Sequence, residues 1–153
     1  MEKFAPRDRI GIAMSRVARL WRSRLDERLA PLGLTQAKWV ILLHLSQSEG
    51  MLPQRELVDQ VGVEGPTLVR VLDGLERMNL IERHDCPTDR RTKTVHLTSS
   101  AQPILEKIMR IAADLRCEVL AGIDDEELSI CLKVFGRMAQ NVGTLINTGD
   151  LSR

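Results

Sequence analysis

A mainly α fold with one small β-hairpin is what this sequence predicts, and three observations predict it. Two short amphipathic stretches adjoin over 54–77, strand-forming residues flank a charged turn over 81–97, and apolar stripes of helical spacing occupy both ends of the chain. That order implies a helix-turn-helix carrying a hairpin wing, framed by helical regions over 1–30 and 99–147.

From Ile10 to about Leu29 the chain reads as an amphipathic helix, with Met14, Val17, Trp21 and Leu25 set among Arg16, Arg19, Arg22, Arg24 and Arg28. Thr35 is a good N-cap for the apolar run QAKWVILLHLSQ that follows it. The next helix, PQRELVDQV, is expected to start at Pro53, whose fixed φ suits a first turn, and it puts Leu57, Val58 and Val61 on one side. Gly62, tolerant of positive φ, ends it. Gly65 is then the expected N-cap of a second helix whose Leu68, Val71, Leu72 and Leu75 form a core-facing stripe. Pro66, Thr67, Arg70, Asp73 and Arg77 are left pointing outward.

After Asn79 the period changes. Ile81 to His84 and Thr94 to Leu97 read as strands, joined by Asp85 to Lys93, a segment of turn formers with Arg90, Arg91 and Lys93 at its distal end. Further on, Ile104, Ile108, Ile111 and Leu115 repeat by fours and threes. Asp124 and Glu127 open the last helix as a capping box, followed by a stripe of Leu128, Leu132, Phe135, Ala139, Val142 and Ile146 that Cys131, Met138 and Leu145 widen. A chain of 153 residues cannot cover such long apolar faces by itself, so both termini imply an intertwined helical dimerisation region.

In a helix-turn-helix the N-terminal part of the second helix meets base edges, which assigns Pro66, Thr67 and Arg70 to DNA, with Arg70 suited to a bidentate contact with guanine. Gln54, at the start of the first helix, joins them as a candidate contact. Arginines at a hairpin tip suit a narrow minor groove, where A·T-rich potential is most negative, so Arg90, Arg91 and Lys93 complete the set. Asp89 could accept a bidentate bond from the Arg91 guanidinium and fix its direction.

The stretch GVEGPTLVRVLDGLERMNLIERHDCPTDRRTKTVHLTSSAQPIL resembles the MarR family of bacterial transcription regulators, and its SlyA branch in particular. The likeness extends to RVARLWRSRLDERLAPLGLTQAKWVILLHL and to EVLAGIDDEELSICLKVF. Many members carry a glycine soon after the LT pair where this chain reads SSAQ, which fits the SlyA branch. The resemblance implies a winged helix-turn-helix domain over 7–140 and a homodimer that binds double-stranded DNA as a transcriptional repressor or activator. Two-fold symmetry would then set two recognition helices about one turn of DNA, ~34 Å, apart on a pseudo-palindromic operator. It also implies a small aromatic carboxylate effector such as salicylate, with Arg19 pairing its carboxylate, Trp39, Leu43 and Val71 forming apolar wall, and Thr35 or Ala37 at the edge.

Composition limits the alternatives. The +1 net charge is not that of a general nucleic-acid coat, and within 52–97 the acids Glu56, Asp59, Glu64, Asp73, Glu76, Glu82, Asp85 and Asp89 exceed the bases Arg55, Arg70, Arg77, Arg83, Arg90, Arg91 and Lys93, eight to seven. Attraction to DNA must come from focused positions. A winged helix can also serve as a protein-interaction module, but such a module has no need of the Arg70, Arg90 and Arg91 set. The chain has no membrane-length apolar run and MEKFAPRDRI lacks an apolar leader, so a cytoplasmic protein is expected. Cys86, Cys117 and Cys131 are too few and scattered for a disulfide framework. A thiol at Cys86 near Arg90 and Arg91 could have a lowered pKa, although the family's peroxide sensors carry their reactive cysteine in the N-terminal helix, where this chain has none. His84, Cys86 and His96 are thin grounds for a metal, and no phosphate loop, catalytic triad or carboxylate pair is recognisable, so neither a cofactor nor an enzyme is expected.

Overall fold

The computed structural model describes residues 5–89 and 91–149, with side chains through 144. Helix α1 runs from Pro6 to Leu29, one turn earlier than the apolar period alone predicts, because Pro6 suits the first turn and Asp8 Oδ2 accepts from the Ala5 amide at 3.1 Å. A 3-10 turn over Ala30–Leu32 closes on Gly33 at φ 73°, a left-handed conformation that admits glycine without strain. Thr35 does precede α2 (Gln36–Gln47) in extended conformation, but its side chain makes no capping bond.

Helix α2 is apolar nearly all round, with Trp39, Ile41, Leu42 and Leu45 buried, and it forms the centre of the domain. It packs against α3 (Gln54–Val61), α4 (Gly65–Arg77) and strands β1 (Met51–Pro53) and β3 (Lys93–Leu97). With β2 (Ile81–Asp85) these strands form an antiparallel sheet ordered β1-β3-β2, in which Val95 pairs with both Leu52 and Arg83. Leu52, Ile81 and Val95 turn inward from it.

Strand β1 is a correction to the sequence reading, since three residues carry no period to detect. It moves Pro53 out of the helix, to the N-cap of α3. At α4, likewise, Glu64 and not Gly65 is the N-cap, at φ −66° and ψ 151°, and Gly65 and Pro66 are the first helical residues. Gly62 caps α3 at φ 68° as expected, its amide donating to the Val58 carbonyl at 3.0 Å.

Helix α5 (Ala101–Val119) begins where Thr98 locks onto the end of α4. The Thr98 hydroxyl donates to the Asn79 carbonyl at 2.6 Å and its amide to that of Leu80 at 3.1 Å, with Asn79 itself at φ 57°. Ala101, Leu105, Ile108 and Leu115 are buried in the same core as α2 and α4, with Ile104 and Ile111 packed against it. The first four turns of α5 therefore serve the core of this domain. Contacts divide the chain into two compact units at Arg116 and Cys117.

In the second unit α6 (Asp125–Gly149) starts with the expected capping box. The Glu127 amide donates to Asp124 Oδ1 at 2.8 Å, and the Asp124 amide to Glu127 Oε2 at 3.1 Å. Along α6, Ile130, Leu132, Val134, Phe135 and Val142 are exposed, and Leu128 and Met138 are half-buried. The expected stripe members Leu145 and Ile146 lie outside the described side chains. Among the described residues no helix is long and apolar enough to cross a membrane.

The core side of α4 holds that helix in place, and its burial makes a clear contrast. Leu72→Ala, at a fully buried position, should lower the free energy of unfolding by about 2–5 kcal/mol. Val69→Ala, at a position 38% exposed on the same helix, should cost less than about 0.5 kcal/mol. Urea denaturation followed by circular dichroism measures both, and equal losses would contradict this packing.

Candidate DNA interface

Helix α4 buries Leu68, Leu72 and Leu75 completely, so its remaining face is presented outward by geometry. Pro66, Thr67, Arg70 and Arg77 lie exposed on that helix, as the periodicity predicts. Asp73 does not share their position. It is half-buried, and its Oδ1 accepts from Arg83 Nη2 at 2.5 Å.

Arg83 is the residue that sequence reasoning passed over. Only 18% of its side chain is exposed, and Nη2 also reaches Glu76 Oε2 at 2.5 Å, while Glu76 Oε1 accepts from the Arg83 amide at 3.2 Å. One guanidinium from β2 thus grips two carboxylates of α4 and ties that helix to the wing. The hydrogen bond to Arg83 holds the Glu76 carboxyl below its ordinary range, against a smaller opposing effect of burial. The reciprocal bond to Glu76 raises the Arg83 pKa. A signal was present in the sequence: Arg83 sits two residues after inward-facing Ile81 on a strand of period two, opposite an acid pair spaced i, i+3 on a helix.

The wing turn is organised by Asp89, but not in the way expected. Its Oδ1 accepts from the Arg91 backbone amide and its Oδ2 from the Thr92 hydroxyl, each at 2.9 Å. Each oxygen thus holds the turn, and the expected bidentate bond to the Arg91 guanidinium is not among the hydrogen bonds of the described residues. An aspartate two residues before an unpaired amide favours this Asx-type turn over a contact with a long, solvated side chain. The Arg91 amide, then the Thr92 hydroxyl, and finally the charge of Arg55 hold the Asp89 carboxyl below its ordinary value. The Cys86 amide donates to the Thr92 carbonyl at 2.9 Å, closing the loop, and Lys93 Nζ bonds Asp85 Oδ1 across the hairpin at 3.1 Å. Arg91 and Lys93 are exposed. Arg90, expected beside them, lies outside the described residues. Gln54 is half-buried at the first turn of α3, where its Oε1 is sealed from solvent and has no hydrogen-bond partner among the described residues.

The Cys86 thiol is shifted down, chiefly by the Thr88 hydroxyl 3.2 Å from Sγ and by the amides of Thr88 and Asp89. The agent is the turn itself, where the sequence pointed to the arginines. His84 and His96 meet edge to face at 4.7 Å, and burial, followed by the charge of His84, lowers the His96 pKa. Among the described residues no three His, Cys, Asp or Glu side chains come together as metal ligands.

Of the residues expected to hold an effector, Arg19 lines an open depression on α1 with Arg22, Asp26, Glu27 and Gln36. Trp39 is buried in the core, and its Nε1 donates to Asp26 Oδ1 at 2.7 Å. Leu43 and Val71 pack against that core, Thr35 is exposed, and Ala37 is half-buried. Asp26 is the link the structure adds between the Arg19 depression and Trp39.

Residues 32–92 match the MarR family. The crystal structure of transcriptional regulator PA3341 is 45% identical, with a TM-score of 0.79 over 88% of this chain and 98% of that one. A MarR-family transcriptional regulator from Silicibacter pomeroyi is 28% identical, with a TM-score of 0.73 over 85% and 87% of the two chains. Wild-type MarR from E. coli, 24% identical, shares the fold at a TM-score of 0.76 over 90% of this chain and 98% of its own.

The Arg83 clamp predicts a pH-dependent stability. Arg83→Met should cost about 1–3 kcal/mol at neutral pH, because it leaves two carboxylates facing each other without their donor. The Glu76 pKa is lower in the folded state than its ordinary 4.5, so its contribution is complete above that value and is lost as pH falls through the folded pKa. Chemical denaturation of both proteins at about pH 6 and about pH 3 should therefore show the difference shrinking in acid. A difference that grew would contradict the clamp.

Proposed function

Because this chain belongs to the MarR family of DNA-binding transcription regulators, we propose that it is a dimeric, sequence-specific regulator of pseudo-palindromic, A·T-rich operators. The observation that carries this reading is the division of α4 into a completely buried face of Leu68, Leu72 and Leu75 and an exposed N-terminal surface of Pro66, Thr67 and Arg70. A helix so held presents its first two turns to a major groove. Thr67 and Arg70 read base edges there, and Gln54 and Pro66 position the helix on the backbone. Arg91, with Arg90 and Lys93 beside it, enters the adjacent minor groove, on a turn whose shape Asp89 sets.

The winged helix-turn-helix domain covers 7–140, with the helix-turn-helix at 54–77 and the wing at 81–97. Dimerisation falls to 1–30 and 99–147, which include exposed Ile10, Ile12, Val17 and Leu20 on α1 and the apolar residues of α6. The SSAQ after the LT pair supports membership of the SlyA branch. An aromatic carboxylate effector such as salicylate would meet the Arg19 guanidinium, with Thr35 or Ala37 at the edge and Trp39, Leu43 and Val71 as apolar wall. The Asp26 bond to Trp39 supports a link from that depression into the core beneath α4.

Arg70→Ala should cost ~1 to 3 kcal/mol on the best operator, selected from genomic fragments, and relax preference at one base position. Loss of equal size on all sequences would make Arg70 a phosphate contact.

Deleting the chain from Asp124 onward should abolish high-affinity binding although every proposed DNA contact remains, because linked binding of two half-sites contributes ~100-fold or more. Sedimentation and gel retardation on the same truncated protein check this. A soluble monomer binding the full palindrome with wild-type affinity would show that reading does not depend on pairing.

A further inference from the structure

A second charged feature lies outside the recognition helix. Gln54, Arg55 and Val58 of α3 and Arg91, Thr92 and Lys93 of the wing line one shallow depression. Three cations from two elements remote in sequence converge there, in a region of the chain where acids outnumber bases. Arg55 is exposed and makes no hydrogen bond or ion pair among the described residues, and its charge acts across the depression on Asp89. The N-terminal amides of α3, preceded by Pro53, add positive potential on the same side.

We infer that this depression is a seat for a single DNA phosphodiester, gripped by Arg55 and Lys93, with Arg91 at its rim directed on into the minor groove. The inference rests on the DNA-binding reading above and adds Arg55 to it as a binding residue. In a helix-turn-helix the first helix crosses the sugar-phosphate strand while the second enters the major groove. A wing in the neighbouring minor groove leaves that strand running between α3 and the hairpin, where the seat opens. The nearby acids do not fill it. Asp89 is bonded to the turn, Asp85 holds Lys93 from the far side of the hairpin, and Glu56 and Asp59 are exposed on α3. A phosphate would draw Lys93 from Asp85 and Arg55 away from Asp89. It would thereby join α3 to the hairpin turn, beyond the contact that α3 already makes with β3.

A phosphate contact carries no sequence information, which separates it from Arg70 in one experiment. The wild type, Arg55→Gln and Arg55→Lys are titrated onto an operator duplex and a random duplex over a range of salt. Arg55→Gln should weaken both duplexes by the same factor and flatten the slope of log affinity against log salt by about 0.9 per seat, while Arg55→Lys restores most of the slope. A neutral methylphosphonate scanned along the strand between the grooves should find one position that weakens the wild type and leaves Arg55→Gln unaffected. An unchanged slope in Arg55→Gln, or a loss confined to the operator, overturns the seat while DNA binding stands. If the wild type itself shows no salt-dependent binding to either duplex, the DNA-binding reading falls and the seat with it.

Discussion

The burial of one side of α4 is the constraint on which the rest of this structure depends. Leu68, Leu72 and Leu75 have no exposed surface, and they pack into a core centred on α2, a helix apolar nearly all round. Removing such side chains from water contributes on the order of 1.5–3 kcal/mol each. Rotation of α4 about its axis would expose them, so the direction of its polar face follows from the core alone. The presentation of the face proposed to read DNA is thus a by-product of hydrophobic packing, with polar contacts only refining it.

Those refinements act at both sides of α4's C-terminal half. Arg83 of β2 grips Asp73 and Glu76 from the wing, and Thr98, ahead of α5, bonds the carbonyls of Asn79 and Leu80 just beyond the helix. The N-terminal half, with Thr67 and Arg70, carries no such ties among its exposed side chains. On the proposed DNA-binding role of Thr67 and Arg70 this is a reasonable division of labour, because bonds at that end would compete with bases for the same donors. The clamp is partly solvated, with Asp73 44% exposed, so its strength lies in geometry more than in raw attraction.

Much of this was legible in the sequence, because helices announce themselves by period. The five longest helical segments, the hairpin strands, the Gly62 cap and the Asp124–Glu127 capping box all follow from local rules. What was not legible is non-local or too short. β1 exists only through its pairing with β3, and no three-residue window reveals that. The one-residue shifts at Pro53 and Glu64 turn on backbone angles that neighbouring residue types permit equally. The stripe on α5 illustrates a deeper ambiguity, since an apolar face states that it must be covered but not by what. Here the domain's own core covers much of it. Choice among neighbours is equally non-local: the sequence pointed Asp89 to the Arg91 guanidinium where the fold selects the Arg91 amide, and it carried no sign of the Asp26 bond to Trp39.

The way Asp89 shapes the wing has a consequence for how such a protein can change. Among the described residues the turn uses position 91 through its main-chain amide, which every residue except proline supplies. Scaffold and proposed reader are therefore separate at the hairpin tip. The side chain there can be exchanged without refolding the loop that carries it, so, on the proposed role of Arg91, new groove preferences are open to single substitutions that cost the fold almost nothing. Asp89 and Thr92, by contrast, are bound to the architecture itself. Across a lineage, variation should accumulate at the tip and stall at its supports.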